Sequence, residues 1–211
     1  MDKIISSFHG RHDNDLFITD KGVAYQKDMG NIVKYDEDYF NKCLSYEDQE
    51  IALKINEGRI GMVGRHHQGQ VLDIGIGSGE FIKKRQFTRG YDINPVAVKW
   101  LKESGLYSDY FMEFKAFTLW DVLEHIPDPV VYLRHMRNGS HLFIAIPIFG
   151  SLSTIRRSKH YRPGEHLYYF TEEGLINWLG KYGFVLLERN DYETQAGRED
   201  IISYAFVRQK S

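Results

Sequence analysis

Cysteine is nearly absent: Cys43 is the only one in 211 residues, which excludes an internal disulfide and any zinc site built from cysteine thiolates. Cys43 itself reads as a small buried residue. An excess of charge of one sign is also missing. With 27 Lys and Arg against 29 Asp and Glu, the formal net charge is -2, and nothing in that balance points to a nucleic-acid partner. No stretch reaches the roughly 20 apolar residues that span a bilayer, and Met1 to Gly10 lacks the apolar run of a secretory signal. The expectation is a cytoplasmic protein with no membrane partner. Repeats and low-complexity segments are missing too. What is abundant is aromatic: 14 Tyr and 13 Phe suit a ligand pocket and a core equally. The length leaves room for one domain with a substantial core.

Two regions follow one another. Residues 1–65 are irregular and polar, with few periodic apolar residues, and read as a cap over a cleft whose Tyr25, Tyr35, Tyr39 and Phe40 close on a substrate. A helix is expected from near Asp48, with Ile51, Ile55 and Met62 at helical spacing, weakened later by Gly58, Gly61 and Gly64. Residues 66–211 alternate strands and helices. Val71 to Ile76, Thr88 to Ile93, Phe117 to Val122, His141 to Ile146, Phe184 to Leu187 and Ile201 to Val207 read as strands. Between them, Asn94-Pro95 and Asp128-Pro129 open helices that stop at Gly105 and Gly139, and Thr171 caps a helix ending at Gly183. Strands separated by helices of this length imply right-handed crossovers and a mainly parallel, doubly wound α/β sheet.

The chemistry starts at the first of these strands. Val71-Leu72-Asp73-Ile74-Gly75-Ile76-Gly77-Ser78-Gly79-Glu80-Phe81 is a strand, a glycine-rich turn and a helix start. A dinucleotide fingerprint, G-x-G-x-x-G, wants its third glycine where Glu80 stands, and a carboxylate there is a poor neighbour for a pyrophosphate. Asp92 ends the next strand, 17 positions after Gly75, close to the spacing at which an acid accepts hydrogen bonds from ribose hydroxyls. A nucleoside without pyrophosphate satisfies both elements.

These runs, VLDIGIGSGEF, GYDINPVAVKWL, FTLWDVLEHIPDP and LFIAIPIF, resemble the class I S-adenosylmethionine-dependent methyltransferases, and the third resembles the ubiquinone and natural-product branch of that superfamily. His160 to Thr171 is similar to the substrate-side loop of the same branch. The likeness covers about residues 70–190. It implies a Rossmann-like sheet of seven strands, mostly parallel with the last antiparallel, and S-adenosylmethionine as cofactor. It places Asp73, Gly75 and Gly77 at the methionine end, Asp92 at the ribose and Ile93 beside the adenine. Leu119, Trp120 and Asp121 fall beside the methyl-bearing sulfur. The acid that the family carries after its third strand has no clear counterpart; Asp109 is the nearby aspartate, with Tyr110 and Phe111 as aromatic substitutes.

A sulfonium methyl is already activated, so the protein's part is alignment, with a base for a proton-bearing nucleophile. His125 is the expected base, against a plain loop histidine bonded to backbone. Asp121, Glu124 and His125 are also similar to a Glu-x-x-Glu-His metal site of catechol-type relatives; no metal ligand is assigned on that likeness, since many relatives keep the Glu-His pair without one. His160, Arg162 and His166 are expected to face the substrate, a small-molecule methyl acceptor. Two other readings of the whole chain are a nicotinamide-dependent oxidoreductase, which the shifted third glycine disfavours, and a non-catalytic module of the same fold, which the intact glycines and Asp92 disfavour.

Overall fold

The computed structural model describes residues 9–27, 34–45 and 49–209. Three four-residue strands come first: β1 (Gly10–Asp13), β2 (Leu16–Thr19) and β3 (Val23–Gln26), each antiparallel to the next. The β1–β2 turn has two residues, Asn14 and Asp15, and Asn14 takes the left-handed φ of 49° that such a tight hairpin turn requires. The sequence gives little warning of these strands, because four residues are too few to establish an alternation.

Helix α1 (Glu37–Leu44) follows, its first turn capped by the Asp36 carboxylate accepting from the Tyr39 N–H at 3.2 Å. Helix α2 (Glu50–His66) runs unbroken through Gly58, Gly61 and Gly64; Asp48, where its start was expected, lies outside the described residues. Gly58 has a packing reason. A Cβ there would sit 2.4 Å from the ring of Tyr192. Tertiary contact thus overrides the poor helix propensity of glycine.

The main sheet is built from β4 (Val71–Ile74), β5 (Thr88–Tyr91), β6 (Ala116–Trp120), β7 (His141–Pro147), β9 (Phe184–Asn190) and β10 (Ile201–Arg208), in spatial order β5-β4-β6-β7-β10-β9. β4 pairs in parallel with β5 and β6, and β6 with β7, while β10 runs antiparallel to both its neighbours. The mainly parallel sheet and the antiparallel last strand are as expected; the strand count is not. Among the described residues six strands pair, and at the β5 flank a single bridge joins Gly90 to Tyr107. After that bridge the chain coils into a 3₁₀ turn at Phe111–Glu113, leaving too short a run to continue the ladder.

Helices cover both faces. On one, α5 (Val130–His135) and α6 (Glu172–Gly180) bury Leu133 and Trp178 against Leu119, Ile144 and Tyr204. On the other, α2 brings Met62 and Val63, and α3 (Glu80–Lys84) brings Phe81, against Ala116, Phe143 and Ala205. Helix α2 therefore packs on the body of the fold, although it lies within the segment expected to be cap. Helix α4 (Pro95–Glu103), capped by Asn94, closes the β5 flank. β8 (Tyr168–Phe170) leaves this sheet and pairs with β3, so a second, four-stranded antiparallel sheet joins the first residues described to the loop around residue 166. Tyr25 is spent on this pairing and lies in the core rather than over the cleft. No helix among the described residues is long and apolar enough to cross a membrane.

The end of α2 is tied to β9 by Glu188, which accepts from Arg65 Nη2 at 2.6 Å and meets His66 Nε2 at 2.8 Å. The Arg65 hydrogen bonds, then those from His66 and Asn190, outweigh burial and hold the Glu188 carboxyl at about 2. A depressed folded-state value stabilises the fold above the unfolded glutamate pKa and loses that contribution as pH falls towards 2. Glu188→Gln is expected to cost on the order of 1–2 kcal/mol at neutral pH, reduced by solvent at half-exposed Arg65, and much less near pH 2. Urea unfolding at the two pH values measures this, and an equal cost at both would contradict it.

Candidate active site

The strand order turns in both directions at β4, with β5 to one side and β6 to the other, and ligands of such sheets bind beyond the carboxyl ends at that point. A cavity of about 730 Å³ lies there. Its floor is the glycine turn. Gly75 and Gly77 take φ of 74° and 55°, and a Cβ on Gly77 would meet nothing within 4 Å, so at this residue bare backbone faces the cavity.

Asp92 sits across this turn. Its Oδ2 accepts from Ile76 N–H at 2.9 Å and its Oδ1 from Asn94 N–H at 2.8 Å, which fixes the carboxylate and leaves further lone pairs on both oxygens. Burial pushes its pKa up against these bonds. Asp73 pairs with Thr118 in the β4–β6 register, so Thr118 Oγ1 donates to Asp73 Oδ1 at 2.6 Å. Burial raises Asp73 to about 7. Ile93 borders the cavity and is 62% exposed, an isoleucine left bare at its mouth.

Alternation along β6 separates the residues expected near the sulfur. Leu119 points into the main core and does not reach the cavity, whereas Trp120 does. Asp121 reaches it with φ of 58°, but its carboxylate is taken. Arg198 donates to both oxygens at 2.9 Å, and Arg59 Nη2 donates to Oδ2 at 2.9 Å. Burial would raise Asp121, but the two guanidiniums outweigh it and hold the carboxyl well below the usual range. Glu193, 0% exposed, accepts from Arg59 Nε at 2.9 Å and Arg198 Nη1 at 2.5 Å, so two arginines and two acids form one closed network. Arg59 also lies over the Trp120 ring at 5.0 Å. Its bonds to the two acids run through Nε and Nη2. Sequence reasoning missed Arg59, Arg198 and Glu193: Arg59 stands 134 positions before Glu193, and no motif joins it to the Glu193–Arg198 segment.

The adenine expectation also moves. Asp109, Tyr110 and Phe111 do not border the cavity; Phe111 packs behind Tyr91 and Tyr132, at ring distances of 5.2 and 5.7 Å, and those two tyrosines border it instead.

Beyond Asp121 a 3₁₀ turn, Leu123–His125, turns Glu124 and His125 inwards. His125 Nδ1 donates to the Glu165 carbonyl at 2.9 Å, so Nε2 carries the lone pair; it stands 3.9 Å from Glu124 Oε1. The His166 ring meets that of His125 edge to face at 4.7 Å. Burial lowers His125, and lowers His166 to about 3 with help from His125. Burial and the nearby Asp121 raise Glu124 well above the ordinary value. His160 borders the cavity with Nε2 bonded to the Glu199 carbonyl at 2.8 Å, and Arg162 borders it while paired with Glu165 at 3.1 Å. Over the opening, Tyr35 and Tyr39 of the α1 segment pack edge to face at 4.9 Å, with Phe40 beside them. Asn94 Nδ2 donates to the Asp36 carbonyl at 2.9 Å, fastening α1 beside Asp92.

A family model described as a methyltransferase domain matches residues 40–189. No curated protein sequence matches the chain. Among solved structures, an S-adenosylmethionine-dependent methyltransferase from Thermotoga maritima is similar at 14% identity and TM-score 0.58, over 82% of this chain and 98% of that one. Magnesium protoporphyrin IX methyltransferase from Synechocystis, with bound S-adenosylhomocysteine, is similar at 15% identity and TM-score 0.56, over 82% and 94%. A third, from Clostridium acetobutylicum, gives 16%, 0.55, and 81% and 99%.

Proposed function

The chain belongs to the methyltransferase-domain family of class I S-adenosylmethionine-dependent enzymes, and on that premise we propose that it methylates a small-molecule acceptor in the cavity at the end of β4 and β6. The observation that carries this reading is the bare glycine turn facing Asp92, whose fixed carboxylate keeps lone pairs for two ribose hydroxyls. In this reading Asp73, Gly75 and Gly77 surround the methionine end and Trp120 lines the approach to the sulfur. Ile93, Tyr91 and Tyr132 take the adenine. Arg59 Nη1 is the cation for the methionine carboxylate, a role that no acid or glycine of the turn can fill.

The acceptor lies towards His160, Arg162 and His166, under α1. Its nucleophile forms a bond to the methyl carbon as the carbon–sulfur bond breaks, and the sulfonium becomes a neutral thioether. The acceptor's proton leaves to solvent through the open side of the cavity, and His125 is the residue assigned to activating that nucleophile. The near-neutral balance of charge supports a small acceptor over a polyanion. We include the division at residue 65 in this proposal with one change: the covering part is the segment around α1, since α2 packs on the sheet.

Calorimetry with S-adenosylhomocysteine tests the reading. Asp92→Ala is expected to weaken binding at least tenfold, the scale of roughly 1.5–3 kcal/mol for hydrogen bonds to a charged group. 5′-Methylthioadenosine, which lacks the carboxylate, is expected to bind the unaltered protein more weakly than the homocysteine form. Unchanged affinity in a folded Asp92→Ala protein would remove Asp92 from the site.

A further inference from the structure

We propose that Glu124, His125 and His166 together hold one divalent transition cation of the zinc type, and that Asp121 is not among its ligands. The inference rests on the reading that this end of the cavity receives the acceptor.

The donor set comes first. One ligand atom from each of the three side chains lies within 4.8 Å of the others. Two of the three residues are almost completely buried, Glu124 at 1% and His166 at 4% exposure. Glu124 Oε2 and His166 Nδ1 nevertheless have no hydrogen-bond partner among the described residues. Buried polar atoms are rarely left without partners, and these two belong to the same trio of side chains as His125, whose Nε2 keeps its lone pair 3.9 Å from Glu124 Oε1. His125 is oriented as a ligand is, because Nδ1–H donates to a backbone carbonyl and so fixes which nitrogen is free. The Glu124 backbone is fixed as well, its carbonyl accepting from Leu167 N–H at 2.7 Å, which holds the His166 segment against the Glu124 turn.

Chemistry selects the cation. Two imidazoles and one carboxyl group suit zinc or a similar first-row ion, whereas magnesium and calcium prefer oxygen. Bonds of about 2.0–2.1 Å in a tetrahedral site bring donor atoms to about 3.4 Å from one another. No hydrogen bond at Glu124 Oε2 or His166 Nδ1 opposes closing from 4.8 Å. Three protein ligands leave a fourth position, and Glu124, His125 and His166 all border the cavity into which it opens. Asp121 is excluded because Arg59 and Arg198 already occupy both of its oxygens.

The probe is Co²⁺ alone, titrated into chelator-treated full-length protein without cofactor or acceptor. One equivalent should bind and give visible d–d absorption, and one equivalent of Zn²⁺ should displace it. Glu124→Gln and His166→Gln, each checked for folding by circular dichroism, should weaken binding by at least about 100-fold. His66→Gln, remote from the cavity, should not. X-ray absorption on the Zn²⁺-loaded protein should show two imidazoles and no sulfur. Absence of stoichiometric binding, full binding by the folded variants, or displacement of Co²⁺ by millimolar Mg²⁺ would each overturn the proposal. S-adenosylhomocysteine calorimetry on the same metal-free protein reads the methyltransferase assignment separately, so the two fail independently.

Discussion

His125→Ala is expected to lower turnover by about 10²–10⁴-fold, the range for losing a positioned group that activates a nucleophile, while S-adenosylhomocysteine affinity stays within about threefold. The expectation follows from where the ring stands. Its backbone-bonded Nδ1 leaves Nε2 towards Glu124 and the acceptor end, not towards the Asp92 end where the cofactor's sugar is assigned. His125→Gln is the companion variant, since it keeps polarity and bulk without the imidazole. Single-turnover rates with an acceptor found by screening measure the chemical step, and calorimetry measures binding. Wild-type turnover in either variant would eliminate His125 from the chemistry. Equal loss of turnover and thermal stability would make it a packing residue.

The largest expected effect on stability lies behind the cavity. Glu193→Ala should lower the unfolding free energy by about 3–5 kcal/mol, because removing one member of a buried ionic network leaves its partners buried and uncompensated. Glu193 accepts from Arg59, Arg198 and Ser203 at zero exposure, and without it two guanidiniums would share the single charge of Asp121. For a chain of this size the loss corresponds to a fall in Tm of roughly 6–20 °C. The exposed Lys54–Glu50 pair supplies the contrast: Glu50→Ala should leave the unfolding midpoint unchanged within error. Thermal and urea unfolding of both variants decide it. A cost below about 1 kcal/mol for Glu193→Ala would mean that water replaces the carboxylate.

The parts of the fold legible in the sequence are those where local signals agree. The glycine turn, the strand ending in Asp92, Asn94 before Pro95 and Thr171 before its helix all stand where local chemistry puts them. Residues that act through distant partners were not legible. Gly58 reads as a weak helix position until Tyr192 is seen against it. Asp121 reads as a free acid beside the sulfur until Arg59 and Arg198, 62 and 77 positions away, close on it. Leu119 was misplaced for a simpler reason. A continuous apolar strand carries no mark of which face is which, and its register is fixed only by pairing with β4 and β7.

Asn94 has two jobs on one side chain. Its oxygen caps α4, and its amide nitrogen holds the α1 backbone at Asp36. The carboxylate assigned to the ribose is two residues away and accepts the Asn94 N–H. Movement of α1 off the cavity must therefore break a bond two residues from the carboxylate assigned to the ribose. On that assignment the expected consequence is kinetic: exchange of spent cofactor for fresh should wait on the opening of α1, with residence time and affinity set by different contacts. Asn94→Ala should shorten the first far more than it weakens the second, apart from the loss at the α4 cap, and stopped-flow displacement of S-adenosylhomocysteine would show the two diverge.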